Sequence, residues 1–132
     1  MTSTETGVLI DTGCEPIFWH LPEGRSSVYL PDSRKLWDEM WHRRREVLGF
    51  AHSHPGRGTP VPSGTDLTTF KAIEQALGCQ LMWWICSEDE LVTVRLRGGS
   101  YETSPCYGLH HSWLPQLRRL SYIEPTLATL QE

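Results

Sequence analysis

The sequence predicts an α/β (α+β) domain, a mixed β-sheet flanked by two main helices, and three observations predict it. Short apolar runs of strand length recur at Val8-Leu9-Ile10, Val47 to His52, Gln80 to Cys86 and Leu91 to Arg97, and they are enriched in β-branched and aromatic residues. Two other segments place apolar residues at helical spacing: Leu36, Trp37, Met40 and Trp41, then Leu67, Phe70, Ile73 and Leu77. Breaker-rich stretches separate them, most clearly Pro55 to Pro62, with two glycines and three prolines in eight residues. At 132 residues the chain is expected to be one domain, 1–132, able to bury an ordinary core without disulfides or structural metals.

In order, Gly7 to Asp11 reads as a buried strand ending in the turn Asp11-Thr12-Gly13, and Pro16 to Leu21 as a second strand. Pro22-Glu23-Gly24-Arg25 is turn material, and Ser27 to Leu30 is expected to form a short third strand. Asp32 or Ser33 can cap the first helix, which the Arg43-Arg44-Arg45 run should end, where cations suit the macrodipole. Val47 to His52 is the next strand, so His52 and His54 fall at its C-terminal end. After the Pro55–Pro62 loop, Asp66 to Leu77 forms the second helix, closed by Gly78. Gln80 to Cys86 and Leu91 to Arg97 make a hairpin around the acidic turn Ser87-Glu88-Asp89-Glu90, with one of Trp83 and Trp84 facing inward and the other outward. Beyond Gly98-Gly99 the pattern weakens, leaving Ser112 to Leu120 as a short helix.

A formal charge of -4 and a pI near 5.8 argue against nucleic-acid binding, which needs a basic balance or a basic stripe. Cys14, Cys79, Cys86 and Cys106 form no CxxC pair, so reduced thiols in a cytoplasmic protein are expected. The longest apolar run, Leu81 to Cys86, is too short to span a bilayer and no charged-then-apolar leader opens the chain. A soluble protein with a protein or small-molecule partner follows from this.

The chemistry concentrates at His52-Ser53-His54-Pro55 and Ser63-Gly64-Thr65-Asp66. Alternate residues of an extended chain share a face, so His52 and His54 can offer two imidazoles to one ion while Ser53 turns away. A catalytic zinc has three protein ligands and one open position, and Asp66 is the nearest third donor. Each half also has a plainer reading. Ser63 and Asp66 have the spacing of a capping box, and two histidines at a strand end can simply be hydrogen-bonded or solvated.

Together these residues resemble the bacterial members of the JAMM (MPN+) metalloprotease family, which carry HSHP, a loop and S-x-x-D. The strand Glu46 to Ala51, the helix before it and Glu5-Thr6-Gly7-Val8-Leu9-Ile10 are similar to the family's corresponding segments, so the resemblance covers about residues 5–97. It implies the cytidine-deaminase-like JAB/MPN fold, one catalytic Zn2+ held by His52, His54 and Asp66, Glu5 as general base and Ser63 as oxyanion donor. Glu15 and Glu46 are poorer substitutes for Glu5 by local context. The implied activity is that of an isopeptidase or peptidase cleaving after the C-terminal tail of a ubiquitin-like protein, as a conjugate or precursor, in a bacterial conjugation system. Partners would be that modifier and an activating or conjugating enzyme of the same system. Alternatives are release of an amino acid or peptide from a ubiquitin-like sulfur carrier, and a metal-free MPN scaffold that only binds partners, although scaffolds typically lose the metal ligands that this chain keeps. A zinc deaminase would need H-x-E and P-C-x-x-C, and neither is present.

Three details differ from the family pattern or lie outside it. Members usually set a helix ahead of the glutamate, whereas four residues precede Glu5, so either the chain is trimmed or another element supports it. Eight residues separate His54 from Ser63, one more than is commonest, and an extra loop residue is cheap enough for the ligands still to converge. Cys106, His110 and His111 could form part of a second zinc site, though surface polar residues are the plainer reading.

Overall fold

The computed structural model describes residues 2–107 and 111–123. Six strands form one mixed sheet in the order β2-β1-β3-β4-β5-β6: β1 (Gly7–Asp11), β2 (Pro16–His20), β3 (Val47–Ser53), β4 (Met82–Cys86), β5 (Leu91–Arg97) and β6 (Ser100–Pro105). Among the described residues only β3 and β4 pair in parallel, and α2 provides the crossover between them. The described residues also form three helices: α1 (Arg34–His42), α2 (Gly64–Leu77) and α3 (Leu114–Leu120).

The helix ends follow from local chemistry. Ser33 caps α1 by accepting from the Leu36 N–H at 3.1 Å. The helix stops at His42, so Arg43 is its C-cap and Arg44 lies beyond it, its guanidinium 4.0 Å over the Trp41 ring. Ser63 caps α2 within a full capping box, and Gly78 closes that helix in the left-handed region.

Pleat alternation sorts the side chains into two cores. Leu9, Phe50, Trp83 and Ile85 face α1 and α2, meeting Leu36, Met40, Phe70 and Ile73. Val8, Ile10, Ala51, Trp84 and Cys86 face the other way, against Trp113 and Leu117 of the α3 region. Trp83 and Trp84 therefore do point to opposite faces, but both are buried, at 1% and 2% exposure. Trp83 stacks on Phe70 at 4.0 Å and Trp84 packs on Trp113 at 5.4 Å. The face expected to be outward is covered because α3 folds back over it.

Within the first core, the Glu74 carboxylate of α2 accepts from the Leu81 N–H at 2.7 Å, from the Trp83 indole N–H at 3.2 Å and from the Tyr101 hydroxyl. A buried carboxylate with three donors is satisfied, and it pins α2 to β4 and β6. At Gly49 the parallel neighbour comes so close that an added Cβ would lie 1.8 Å from the Met82 carbonyl oxygen. Only glycine permits that spacing.

Two expectations needed correction. The segment Ser27 to Leu30 is not a strand; it contributes only an isolated bridge, Ser26 to Tyr29. Its residues 26–29 are exposed, with no face to bury against a sheet. Conversely, β6 was not expected, because Ser100-Tyr101-Glu102-Thr103-Ser104-Pro105 carries no apolar alternation. It forms through its turn: Gly98 and Gly99 both have positive φ, 56° and 88°, as a tight two-residue hairpin demands, and Arg97 pairs with Ser100. No helix among the described residues is long and apolar enough to cross a membrane.

Candidate metal centre

The sheet register assembles the centre. In the antiparallel β1–β3 pair, Gly7 lies opposite His52, and the pairing continues with the Ser53 N–H donating to the Thr6 carbonyl at 3.0 Å. One further step brings Glu5 across from His54. Because side chains alternate, Glu5, His52 and His54 share the α1/α2 face while Thr6 and Ser53 point to the α3 face. The N-terminus of α2 then delivers Asp66 from above.

Distances within the group suit a small cation. His52 Nε2 and His54 Nε2 are 3.0 Å apart, His52 Nε2 is 3.5 Å from Asp66 Oδ1, and His54 Nε2 is 3.1 Å from Asp66 Oδ2. Donors about 2.0–2.1 Å from a tetrahedral divalent ion must lie about 3.3 Å from one another, so this set fits one. Glu5 also offers a carboxylate oxygen, with the ligand atoms of Glu5, His52 and His54 all within 4.8 Å of one another. His52, His54, Glu5 and Asp66 thus converge; the sequence-predicted ligands and the predicted base are in one place.

Burial and mutual contacts move the protonation states of the group in different directions, those of His52 and Asp66 towards the metal-binding forms. Burial, the largest effect, lowers His52 below the usual imidazole value, so it is held neutral. At His54 burial is outweighed by the hydrogen bond and charge of Asp66, which raise it. Asp66 is opposed by burial but held well below the usual carboxylate range by hydrogen bonds from both imidazoles and from the Ser63 N–H. Glu5, 7% exposed, is pushed up to about 7 by burial, with Asp66 adding to the rise and His54 opposing it.

Ser63 keeps both of its readings. Its Oγ accepts from the Asp66 N–H at 3.0 Å while Asp66 Oδ2 accepts from the Ser63 N–H at 2.9 Å, so the capping box is real. That box also orients the carboxylate, leaving Oδ1 for His52 and sharing Oδ2 with His54. Since Ser63 Oγ only accepts in the cap, its hydroxyl proton remains available to a molecule in the cavity of about 730 Å³ that Ser63, Glu5, His52, His54 and Asp66 line.

The loop between the two half-motifs is tied down rather than loose. The Glu88 N–H donates to the Gly56 carbonyl at 2.8 Å, the Gly58 N–H to Asp89 at 2.9 Å, and Thr59 to Glu90 at 2.9 Å. The acidic β4–β5 turn is therefore the latch for this loop, and Arg118 of α3 clamps that turn through the Ser87 and Glu90 carbonyls at 3.0 and 3.3 Å. Sequence reasoning gave neither Arg118 nor the acidic turn a part, and no local pattern marks a contact across about thirty residues of chain.

Of the second predicted cluster, His110 lies outside the described residues. Cys106 Sγ is 3.7 Å from His111 Nε2, and Cys14 Sγ is 3.4 Å from His111 Nδ1. The Cys14 thiol thus meets one ring nitrogen of His111 and the Cys106 thiol the other. Cys14, Cys79, Cys86 and Cys106 are all free thiols.

No curated protein matches the chain. The profile of the prokaryotic homologs of the JAB domain (Prok-JAB) matches residues 5–97, from the candidate base through β5. With that match spanning most of the sequence, and the mixed sheet and converged histidines arranged as above, the chain belongs to the prokaryotic JAB-domain family.

Proposed function

We propose that the protein is a zinc-dependent isopeptidase or peptidase that cleaves after the C-terminal tail of a ubiquitin-like protein, in deconjugation or precursor processing. One observation carries the reading: the Glu5 carboxylate comes from the extended segment ahead of β1 to the same place as His52, His54 and Asp66, at the wall of an open cavity. A scaffold that only binds partners has no use for a buried carboxylate beside two imidazoles.

His52, His54 and Asp66 would hold the zinc ion, which when bound supplies Lewis acidity and lowers the pKa of its water to about 7. Glu5 takes a proton from the attacking water at its carboxylate and returns it to the leaving amine. Its elevated affinity for protons, about 7 by burial, suits a group that must both accept and release one near neutral pH. Ser63 donates its hydroxyl proton to the oxygen of the scissile carbonyl as charge develops there. The capping box and the loop latch keep Asp66 and Ser63 in register while this happens.

Purified protein should contain about one zinc per chain. A panel of ubiquitin-like proteins extended by a C-terminal peptide or joined to a lysine side chain should include substrates, with mass spectrometry placing the cut after the modifier's last residue. Folded protein that takes up no zinc, or zinc-loaded protein that binds a modifier and leaves every fusion intact, would favour the scaffold reading instead.

A further inference from the structure

Glu5 precedes β1, in an extended segment that strand pairing alone would leave free to fray. It is nonetheless buried, as are Thr4 and Thr6, and the reason lies on the opposite face of the sheet. Thr6 alternates with Glu5, so whatever grips Thr6 from the α3 side fixes where Glu5 points on the metal side.

Two directed hydrogen-bond relays grip it. In the first, the Thr6 N–H donates to Ser53 Oγ at 2.9 Å, Ser53 Oγ and Ser121 Oγ are 2.7 Å apart, and Ser121 Oγ donates to the Leu117 carbonyl at 2.7 Å. In the second, Arg25 Nη1 donates to Thr6 Oγ1 at 2.5 Å, and Thr6 Oγ1 donates to the Leu120 carbonyl at 3.3 Å. Both relays end on carbonyls of α3. The Thr4 N–H adds a third tie, to the Ser121 carbonyl at 3.0 Å, and Arg25 Nη1 also reaches the Glu5 carbonyl at 3.4 Å. Ser53, Thr6 and Ser121 are fully buried, where each such bond is shielded from competing water. Ser53 lies between His52 and His54, so the first relay joins the metal motif directly to the glutamate segment.

We propose that Arg25 and Ser121 are positioning residues for Glu5, and that the C-terminal turn of α3, which follows the residues matching the family, is thereby part of the catalytic apparatus. Neither side chain faces the cavity. They act through Thr6, holding the carboxylate opposite the histidines. The proposal rests on the isopeptidase reading only for its kinetic consequence; the structural lock stands apart from it.

The test uses the full-length, zinc-loaded protein and the variants Ser121→Ala, Arg25→Met and Arg25→Lys. Three quantities are read: zinc content, kcat and KM on a cleavable modifier fusion, and amide hydrogen exchange at Glu5 and Thr6. Ser121→Ala and Arg25→Met should keep one zinc per chain and an unchanged KM while kcat falls roughly 10–100-fold, the scale of a misplaced catalytic group. Exchange should quicken at Glu5 and Thr6 but not in β4 or β5. Arg25→Lys should restore most of kcat, because all the contacts named here come from one nitrogen that an ammonium can replace. Unchanged exchange at Glu5 and Thr6 in both disruptive variants would overturn the proposal, as would a kcat loss that accompanies faster exchange throughout the sheet. If the wild-type protein cleaves no fusion, the isopeptidase reading fails, and the exchange measurement still decides whether the lock exists.

Discussion

Replacing Ser63 separates the two duties that the structure gives it. Its Oγ caps α2 by accepting from the Asp66 N–H at 3.0 Å, and its hydroxyl proton is free to face the cavity. Ser63→Ala removes both, at a cost of about 1 kcal/mol for the lost cap, or roughly a 3–5 °C fall in Tm for a chain of this size. Ser63→Gly removes the hydroxyl but spares the helix start, because glycine at an N-cap costs only a few tenths of a kcal/mol. If Ser63 stabilises the developing oxyanion, both variants should lose about 10²–10³-fold in kcat, roughly 3–4 kcal/mol, with KM little changed. Ser63→Thr keeps acceptor and donor alike and should retain activity. The assay is steady-state cleavage of a modifier fusion alongside thermal melts of the zinc-loaded proteins. A Ser63→Gly variant turning over within twofold of wild type would refute the reasoning and leave Ser63 as a cap alone.

Three further outcomes are expected. Glu5→Gln should keep one zinc per chain and lose about 10²–10⁴-fold in turnover, the range for removing a general base; full activity would take Glu5 out of the mechanism. Zinc affinity should fall on acidification from pH 8 to 6 in a chelator competition, because the ligands bind deprotonated and His54, raised by Asp66, takes up its proton first. Equal affinity at both pH values would exclude His54 from the coordination. Trp84→Ala should cost about 3–5 kcal/mol in denaturant unfolding, as for any large buried aromatic, since α3 covers that face. A cost near zero would mean that Trp84 faces a partner rather than a core.

The sequence by itself determined the elements whose signal is local. Apolar runs of strand length and period-3.6 stripes placed β1 to β5 and the two main helices within a few residues, because each must bury apolar side chains and their order records how; α3, where the pattern weakens, was only faintly marked. The half-motifs were legible for the same reason: His52 and His54 share a face by alternation, and Ser63 and Asp66 share the first turn of a helix by capping chemistry. Where local signal was misleading or missing, the tertiary structure decided. Ser27 to Leu30 looks like a strand, but a strand needs a neighbour to bond and a core to face, and it has only a bridge. Polar β6 has no apolar pattern, yet a two-glycine turn and a waiting edge on β5 suffice to form it. The support of Glu5 was the least visible feature. The Glu5 N–H bonds to the Ser26 carbonyl, and its neighbours Thr6 and Thr4 bond to Arg25 and to Ser121, the last over a hundred residues away in sequence. Hydrogen bonds of that range follow from how the chain closes on itself, which no stretch of residues encodes alone.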